Sequence, residues 1–364
     1  MKLWAIYFEP EDWVAFRENR RFSASDRVES RFPSPFPFYG ALRTALMKSW
    51  GIKLPYGKMA QLTTEEQEII GDAQNAGKLR LFGPFIFEYD SQDGNTFRHY
   101  FPAPKNIYRV KIGNERTYKA MPLIKLDNQD KKFLCDDDLN LNCLPWIPEF
   151  EGAEEADESY IELKDLENLH CGMTFKLSKP KISVESRFGI GIEKGIKRAA
   201  RHLLYTLTFY RFNRGGFFML TEDEETVDLI CKVRIEGVFL GSKQRWAKVY
   251  MKELETAALD ISTSGENTAI SLITPALLDG GIAPASGKVG QAEIVAIAGS
   301  KKVAVSGWDM VNSKPKPIYH AAGPGTVYYL KGTPSNEISL NSKFEDFGFG
   351  RFISMKWESF KGEE

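Results

Sequence analysis

RFGIGIEKGIKRAARHLLYTLTFYRF, residues 187–212, carries two apolar patterns that predict different structures. Read as extended chain, its large apolar residues fall on one strand face, while Gly189 and Gly191 fall on the other. β-favouring residues alternate again after residue 202, so two strands would form a hairpin with a basic tip. The rival is a helix over residues 196–207, where Ile, Ala and Leu side chains share one stripe. The sequence leaves both open, and in both the basic side is exposed.

The glycines of this stretch do not fit a nucleotide-binding loop. A dinucleotide fingerprint has the spacing G-x-G-x-x-G, but Gly195 follows Gly189 and Gly191 one residue late, and no short apolar strand precedes them. A phosphate loop would need Gly-Lys-Ser or Gly-Lys-Thr, and the chain has Lys-Gly-Ile here. Glycines on a strand face instead let another backbone approach closely. A projecting basic tip beside them suits a sugar-phosphate backbone.

Charge is unevenly distributed along the chain, although the net charge is only −1. Residues 17–53 hold eight basic and three acidic side chains, and residues 187–214 hold seven and one. Residues 136–167 hold twelve acidic side chains against a single lysine. A local basic face can bind phosphates on a nearly neutral protein, and ordinary solvated charge is the alternative for either basic cluster.

Two further segments add candidates for RNA binding. Residues 312–320, NSKPKPIYH, set cations and an aromatic ring among prolines, a composition that can follow a single strand; a surface loop is the alternative. Residues 348–351, GFGR, offer backbone amides and a cation, or form a tight turn. Tyr39 either stacks on a ligand or packs in the core. The full candidate set is Arg31, Tyr39, Arg43, Arg187, Gly189, Gly191, Lys194, Lys197, Arg198, Arg201, His202, Arg214, Lys314, Lys316, Gly348, Gly350 and Arg351.

The sequence shows no catalytic set and no metal site, and we expect no cofactor. Four cysteines at wide spacing are more typical of free thiols than of zinc ligands. His202, beside Arg201, is the best candidate for the base of a metal-independent ribonuclease, although a histidine in a basic loop is more often a contact. With no run of eighteen apolar residues, we expect a cytoplasmic protein without a membrane span.

Strand patterns dominate and helices are few, which favours an α+β fold with helices packed on one face of the sheets. A helix is predicted over residues 38–50, because three prolines precede it and a glycine follows it. Alternation predicts a strand over residues 231–240. The irregular, acidic residues 113–169 suggest a domain change near residues 150–175.

Several stretches, taken in order, are shared with one known family. They are LWAIYFEPEDWVAFRENRRF (3–22), PFPFYGALRTALM (35–47), residues 187–212, GWDMVNSKPKPIYHAAGPGTVYYL (307–330) and GFGRFISMKW (348–357). Together they resemble the third subunit of the Cmr complex, the type III-B CRISPR effector, within the RAMP superfamily. Residues 39–43 and 189–192 are the most specific matches, whereas residues 113–169 have no counterpart.

The resemblance implies tandem ferredoxin-like, RRM-related domains with β-hairpin insertions. Their predicted bounds are 1–170, with an acidic insertion at about 113–169, and 171–364, with the basic hairpin and a C-terminal glycine-rich loop. Relatives cap the 5′ end of a CRISPR RNA, hold its repeat-derived tag and are not catalytic. They lie beside the large Cas-ten-type subunit and contact a backbone subunit, so target RNA is met only indirectly. Two alternatives stay open, a repeat-cleaving endoribonuclease and a purely protein-bridging subunit.

Overall fold

The computed structural model describes residues 2–16, 27–28, 30–52, 62–90, 96–112, 115–127, 141–147, 154–155, 160–193, 195, 198–242, 244–254, 267–309, 314–332 and 339–359. The chain forms two compact units. Unit 1 comprises Met1–Phe97, Pro180–Leu254 and Ala304–Tyr319, and unit 2 comprises Arg98–Lys179, Glu255–Val303 and His320–Glu364. Each unit is therefore built from three segments that alternate along the chain. The two ferredoxin-like domains with a boundary at residue 170 stay a prediction.

Strands far outnumber helices among the described residues. The helices are α1 (Phe36–Ser49), α2 (Thr64–Ile70), α3 (Leu163–His170) and α4 (Glu224–Val233), with a short 3₁₀ turn at Glu345–Phe347. The strands are β1 (Leu3–Pro10), β2 (Arg27–Val28), β3 (Phe82–Tyr89), β4 (Phe97–Pro102), β5 (Ile107–Ile112), β6 (Glu115–Ala120), β7 (Leu123–Lys125), β8 (Cys143–Pro145), β9 (Glu154–Glu155), β10 (Tyr160–Glu162), β11 (Leu177–Ser178), β12 (Ile182–Ile192), β13 (Ala199–Phe212), β14 (Gly215–Thr221), β15 (Gly237–Leu240), β16 (Arg245–Leu254), β17 (Asn267–Leu272), β18 (Lys288–Val289), β19 (Ala292–Ala298), β20 (Val303–Val305), β21 (Trp308–Asp309), β22 (Lys314–Pro315), β23 (Tyr319–Ala321), β24 (Val327–Lys331) and β25 (Phe352–Lys356).

Unit 1 is built on antiparallel strands in the order β3-β14-β1-β16-β15. Helix α1 covers one face of them, where the Phe38 ring lies 5.0 Å from Phe8 and 5.6 Å from Phe217. All three side chains are at most 1% exposed. Burial of these rings is therefore what holds the helix to the sheet.

Helix α1 confirms the helix predicted from the sequence but begins two residues earlier. Proline is tolerated in the first turn of a helix, and Pro37 lies there. The helix ends in a Schellman motif, because the amides of Gly51 and Ile52 donate to the carbonyls of Lys48 and Met47. Gly51 has a φ of +74°, which a glycine adopts without strain.

Unit 2 contains a second antiparallel sheet in the order β18-β19-β24-β17-β25. Its core includes Ile270, Leu272, Tyr328 and Leu330, none of which is exposed. Shorter strands, β5, β6 and β9, form a three-stranded sheet in the same unit. The protein is thus a mixed α and β structure with mostly antiparallel sheets and few helices, as the α+β prediction required.

The strand predicted over residues 231–240 is wrong in its first part. Helix α4 runs through Val233, and only Gly237–Leu240 is extended. Asp223 caps the helix by accepting a hydrogen bond from the Thr226 amide at 2.8 Å, and Val227 and Ile230 bury its inner face. The Asp223 cap and the burial of the inner face favour a helix more strongly than the alternation of residues 231–240 favours a strand. No described helix has both the length and the apolar character that crossing a membrane requires.

Candidate nucleic-acid interface

The opening stretch forms a β-hairpin in unit 1, not a helix. Strands β12 and β13 pair antiparallel from Ile182 opposite Phe212 to Ile192 opposite Ala199, with an irregularity between Ile190 and Ile192. The parallel strand β2 pairs with β13 on its other side. The sequence folds this way because its β-branched and aromatic residues alternate in both arms.

The two faces of the hairpin differ sharply in burial. On one face Val184, Phe188, Ile190 and Ile192 are 63%, 77%, 57% and 63% exposed. On the other face Leu207 and Phe209, from β13, are buried against Trp13 and Ala15. We call the first set the apolar face (Val184, Phe188, Ile190 and Ile192). Exposed apolar side chains grouped in this way mark an interaction surface more often than scattered ones do.

Arg187, in the middle of β12, contacts a carboxylate and an aromatic ring. Its Nε donates to Glu185 Oε1 at 2.8 Å, and its guanidinium carbon lies 4.4 Å from the centroid of Trp13. Arg211 donates to the other Glu185 oxygen at 3.1 Å. Hydrogen bonds from Arg187 and Arg211 hold the pKa of Glu185 below its usual range. Arg187 is therefore partly engaged within the protein, and its contact with RNA stays a prediction.

The tip of the hairpin holds the remaining basic candidates of this stretch. Arg198 is exposed, and its carbonyl accepts a hydrogen bond from the Glu193 amide at 2.9 Å, which closes the turn. Lys194 and Lys197 lie outside the described residues. Arg201 and His202 belong to β13, but their side chains are not described. Gly189 and Gly191 lie in β12 and are half-buried, on the side of the strand opposite the apolar face.

The segment before α1 is tied to the hairpin, which brings Arg31 near its root. The Ser30 amide donates to the Thr208 hydroxyl, and the Tyr210 hydroxyl donates to the Ser30 carbonyl at 3.1 Å. The Ser30 hydroxyl accepts from the Phe16 amide at 2.8 Å. Arg31 follows directly and its side chain is exposed. The fold thus brings together two basic clusters that are far apart in sequence.

Tyr39 and Arg43 serve the fold of unit 1 in this structure. Tyr39 is 1% exposed, and its hydroxyl accepts from the Leu81 amide at 2.8 Å and donates to the Leu81 carbonyl. The ring packs and has no face open to a base, which corrects the expectation that it stacks on RNA. Arg43 donates to the carbonyls of Asp72 and Asn75, both at 2.7 Å. Burial lowers the pKa of Arg43 to about 10.

Lys316 lies close to Arg43 although the two are far apart in sequence. Its Nζ is 4.6 Å from the centroid of Phe36. Burial, together with the positive charge of Arg43, lowers the pKa of Lys316. Lys314, two residues before it, is exposed in β22. Arg214 is exposed as well, with its guanidinium carbon 4.6 Å from the Tyr89 centroid.

The glycine-rich segment at residues 348–351 is a tight, buried turn of unit 2. The amides of Gly348, Gly350 and Arg351 donate to the Glu345 carbonyl, the Pro275 carbonyl and the Thr274 hydroxyl. Gly348 and Gly350 are buried and have φ values of +80° and +75°. These amides are already engaged, so the turn alternative holds and the segment does not present free donors to a phosphate.

The sequence did not single out Trp13 and Arg245, which the fold stacks together in unit 1. The guanidinium carbon of Arg245 lies 3.4 Å from the centroid of Trp13, and the indole is 7% exposed. A lone tryptophan in an acidic segment gave no signal, because its partner is more than 200 residues away. Within the described ranges, no group of three or more His, Cys, Asp or Glu side chains is arranged to hold a metal ion.

The sequence matches the family model of the CRISPR-associated protein (Cas_Cmr3) over residues 6–357. Among curated proteins, no sequence matches it. In fold, it is similar to a chain in the cryo-EM structure of the Type III-B Cmr-beta bound to cognate target RNA, with a TM-score of 0.50, 19% identity and 96% of each chain covered. A chain in the cryo-EM structure with cognate target RNA and AMPPnP has a TM-score of 0.48 and 16% identity, over 89% of this chain and 86% of that one.

Proposed function

This chain belongs to the CRISPR-associated Cas_Cmr3 family, and from that premise we propose that it is a non-catalytic RNA-binding subunit of a type III-B effector complex. In this role it caps the 5′ end of a CRISPR RNA, holds the repeat-derived tag and links the large Cas-ten-type subunit to a backbone subunit in the cytoplasm. Target RNA is then contacted only through the assembled complex. Tandem ferredoxin-like domains, 1–170 and 171–364, belong to the same proposal.

The hairpin β12–β13 is the observation that carries this proposal. It combines an exposed cation at its tip, Arg198, with an apolar face that nothing in the described residues buries. Around its root lie Arg31 and Arg187. Cations suit the phosphates of a single strand, whereas uncharged, exposed apolar side chains suit a protein surface. One element thus offers separate surfaces for RNA and for a partner subunit.

Removing the cations of the tip tests the RNA contact. We expect Lys197→Ala/Arg198→Ala/Arg201→Ala to weaken binding of a tagged CRISPR RNA and to reduce the slope of log K against log salt by about 0.7 per lost phosphate contact. The matched control replaces three exposed lysines of unit 2, Lys288, Lys331 and Lys356, by alanine. Equal slopes for the two triple variants would remove the tip from the RNA interface. Cleavage of the RNA in chelator, abolished by His202→Ala, would instead favour the endoribonuclease.

Polar substitution of the apolar face tests the link between subunits. Phe188→Ser/Ile190→Ser is expected to change the free energy of unfolding by less than about 1 kcal/mol, about 0.5 kcal/mol for each residue, because both side chains already face solvent. Assembly with the partner subunits should weaken at least about tenfold, since each buried side chain of this size contributes about 1.5–3 kcal/mol. Ile318→Ser, at a side chain that is 50% exposed elsewhere in unit 1, is the control. Wild-type assembly of the double variant in co-purification would exclude this face.

A further inference from the structure

Trp13 holds Arg245 in a fixed orientation at the root of the hairpin. The guanidinium carbon of Arg245 lies 3.4 Å from the ring centroid, a distance that means face-to-face contact. The indole is itself fixed, because it is buried edge-on against Phe209 with 4.1 Å between ring centroids. A guanidinium stacked on a rigid ring keeps its planar fork in one orientation, so little entropy is lost when the fork binds a ligand.

The stack lies between the hairpin and the start of β16. Val14 forms an antiparallel bridge with Tyr210 of β13, and Ala15 forms one with Ser242, three residues before Arg245. One short segment of chain therefore connects the hairpin root to the turn that carries this arginine. Arg245 extends the basic root of the hairpin to a strand that the sequence patterns did not implicate.

Among the described residues around the indole, one cation has no carboxylate as a partner. Arg187 pairs with Glu185, and Arg211 pairs with both Glu185 and Asp12. In the described part of the chain, the Arg245 side chain pairs with no carboxylate and donates no hydrogen bond, and its Nε is buried without an acceptor. An unsatisfied buried donor destabilises a fold. The stack on Trp13 stabilises the side chain but satisfies none of its N–H donors, whereas an anionic ligand would accept hydrogen bonds from them.

We propose that Arg245 binds a phosphate of the RNA backbone. The inference rests on the proposed RNA-binding function and adds a contact outside the hairpin tip. Stacking on Trp13 occupies a face of the guanidinium, whereas its N–H donors lie in the plane of the group and are not used by the ring. A phosphate accepts two such donors side by side, a geometry that lysine does not reproduce.

The test compares three variants of the full chain in salt titrations with a CRISPR RNA that carries its repeat-derived 5′ end. Arg245→Gln should lower affinity about tenfold and reduce the slope of log K against log salt by about 0.7. Arg245→Lys should lose less affinity and keep the slope, because the charge remains. Lys248→Ala is the control, since Lys248 is on the same strand, is exposed and already pairs with Glu11 at 3.6 Å; it should behave as wild type.

The outcomes separate this inference from the function on which it rests. Wild-type affinity and slope for Arg245→Gln, when the wild-type protein binds the RNA, would overturn the phosphate contact and leave the proposed function intact. Equal losses in Arg245→Gln and Arg245→Lys with an unchanged slope and a lower melting temperature would assign Arg245 to the fold. Loss of partner assembly with unchanged RNA binding would assign it to a protein carboxylate. Failure of the wild-type protein to bind the RNA would remove both proposals.

Discussion

Glu162→Gln is expected to lower the free energy of unfolding by about 3 kcal/mol at pH 7. Glu162 ends β10 in unit 2 and is 3% exposed. Its carboxylate accepts hydrogen bonds from both Nε and Nη2 of Arg98, from the Ser178 hydroxyl at 2.5 Å and forms an ion pair with Lys164 at 2.9 Å. Glutamine removes the charge and one acceptor, which leaves Arg98 beside a neutral, partly mismatched group.

The pKa of Glu162 determines how the free energy of unfolding changes with pH. Burial by itself would raise the pKa of Glu162, but the hydrogen bonds from Arg98, Ser178 and Lys164 outweigh it and lower the pKa to about 2. A depressed pKa in the folded state means that the stabilisation is complete above the usual value of about 4.5 and is lost as the pH falls towards 2. The difference between wild type and Glu162→Gln should therefore shrink across this window.

Urea unfolding at pH 7 and at pH 3 measures both effects. The control is Glu115→Gln, which removes an ion pair with Lys176 at 3.0 Å whose two side chains are 65% and 58% exposed. Exposed pairs of this kind contribute about 0–1 kcal/mol, so the control should hardly change stability. A loss at Glu162 no larger than at Glu115, or one that grows towards low pH, would contradict the assignment.

Gly350→Ala is expected to lower the free energy of unfolding by about 3 kcal/mol. Two costs add: a left-handed φ of +75° costs a non-glycine residue about 1–2 kcal/mol, and overpacking costs about 1–3 kcal/mol. The overpacking arises because a Cβ here would lie 2.6 Å from the Cβ of Ser342, which is buried. The turn cannot simply move away, because the Gly350 amide donates to the Pro275 carbonyl at 2.8 Å.

Gly287→Ala separates the two costs. Gly287 has a similar φ of +66°, and a Cβ there meets nothing within 4 Å, so only the backbone cost of about 1–2 kcal/mol should appear. Denaturant unfolding of both variants measures the difference, and RNA titration of the folded fraction should show unchanged affinity. Full stability of Gly350→Ala with weakened RNA binding would mean that the turn contacts RNA directly.

Prediction from sequence succeeded where the signal is local. The prolines before α1 and the glycine after it are a local signal, and they predicted both ends of the helix to within two residues. The spacing of the glycines was enough to exclude a nucleotide-binding loop. The apolar alternation of residues 184–192 predicted correctly which side chains share a face of β12. The strand over residues 231–233 failed because the cap at Asp223 and burial of the helix face act on the segment from outside the alternating residues.

The site was only partly predictable, because openness to a ligand depends on neighbours that are distant in sequence. Tyr39 was a candidate for stacking, but its hydroxyl accepts a hydrogen bond from the Leu81 amide inside the core. Arg43 was a candidate for phosphate binding, but it donates hydrogen bonds to the carbonyls of Asp72 and Asn75. Arg245 shows the opposite case. No sequence motif includes it, and it is a candidate only because the fold stacks it on Trp13.

The periodicity, the basic clusters and the family of the chain can all be read from its amino-acid order. Residues 196–207 fit a strand and a helix equally well, and long-range packing selects the strand. Burying Leu207 and Phe209 against Trp13 and Ala15 requires the extended form, in which they share one face with period two. Because the stabilising contacts come from residues nearly 200 positions away, no local pattern contains that choice.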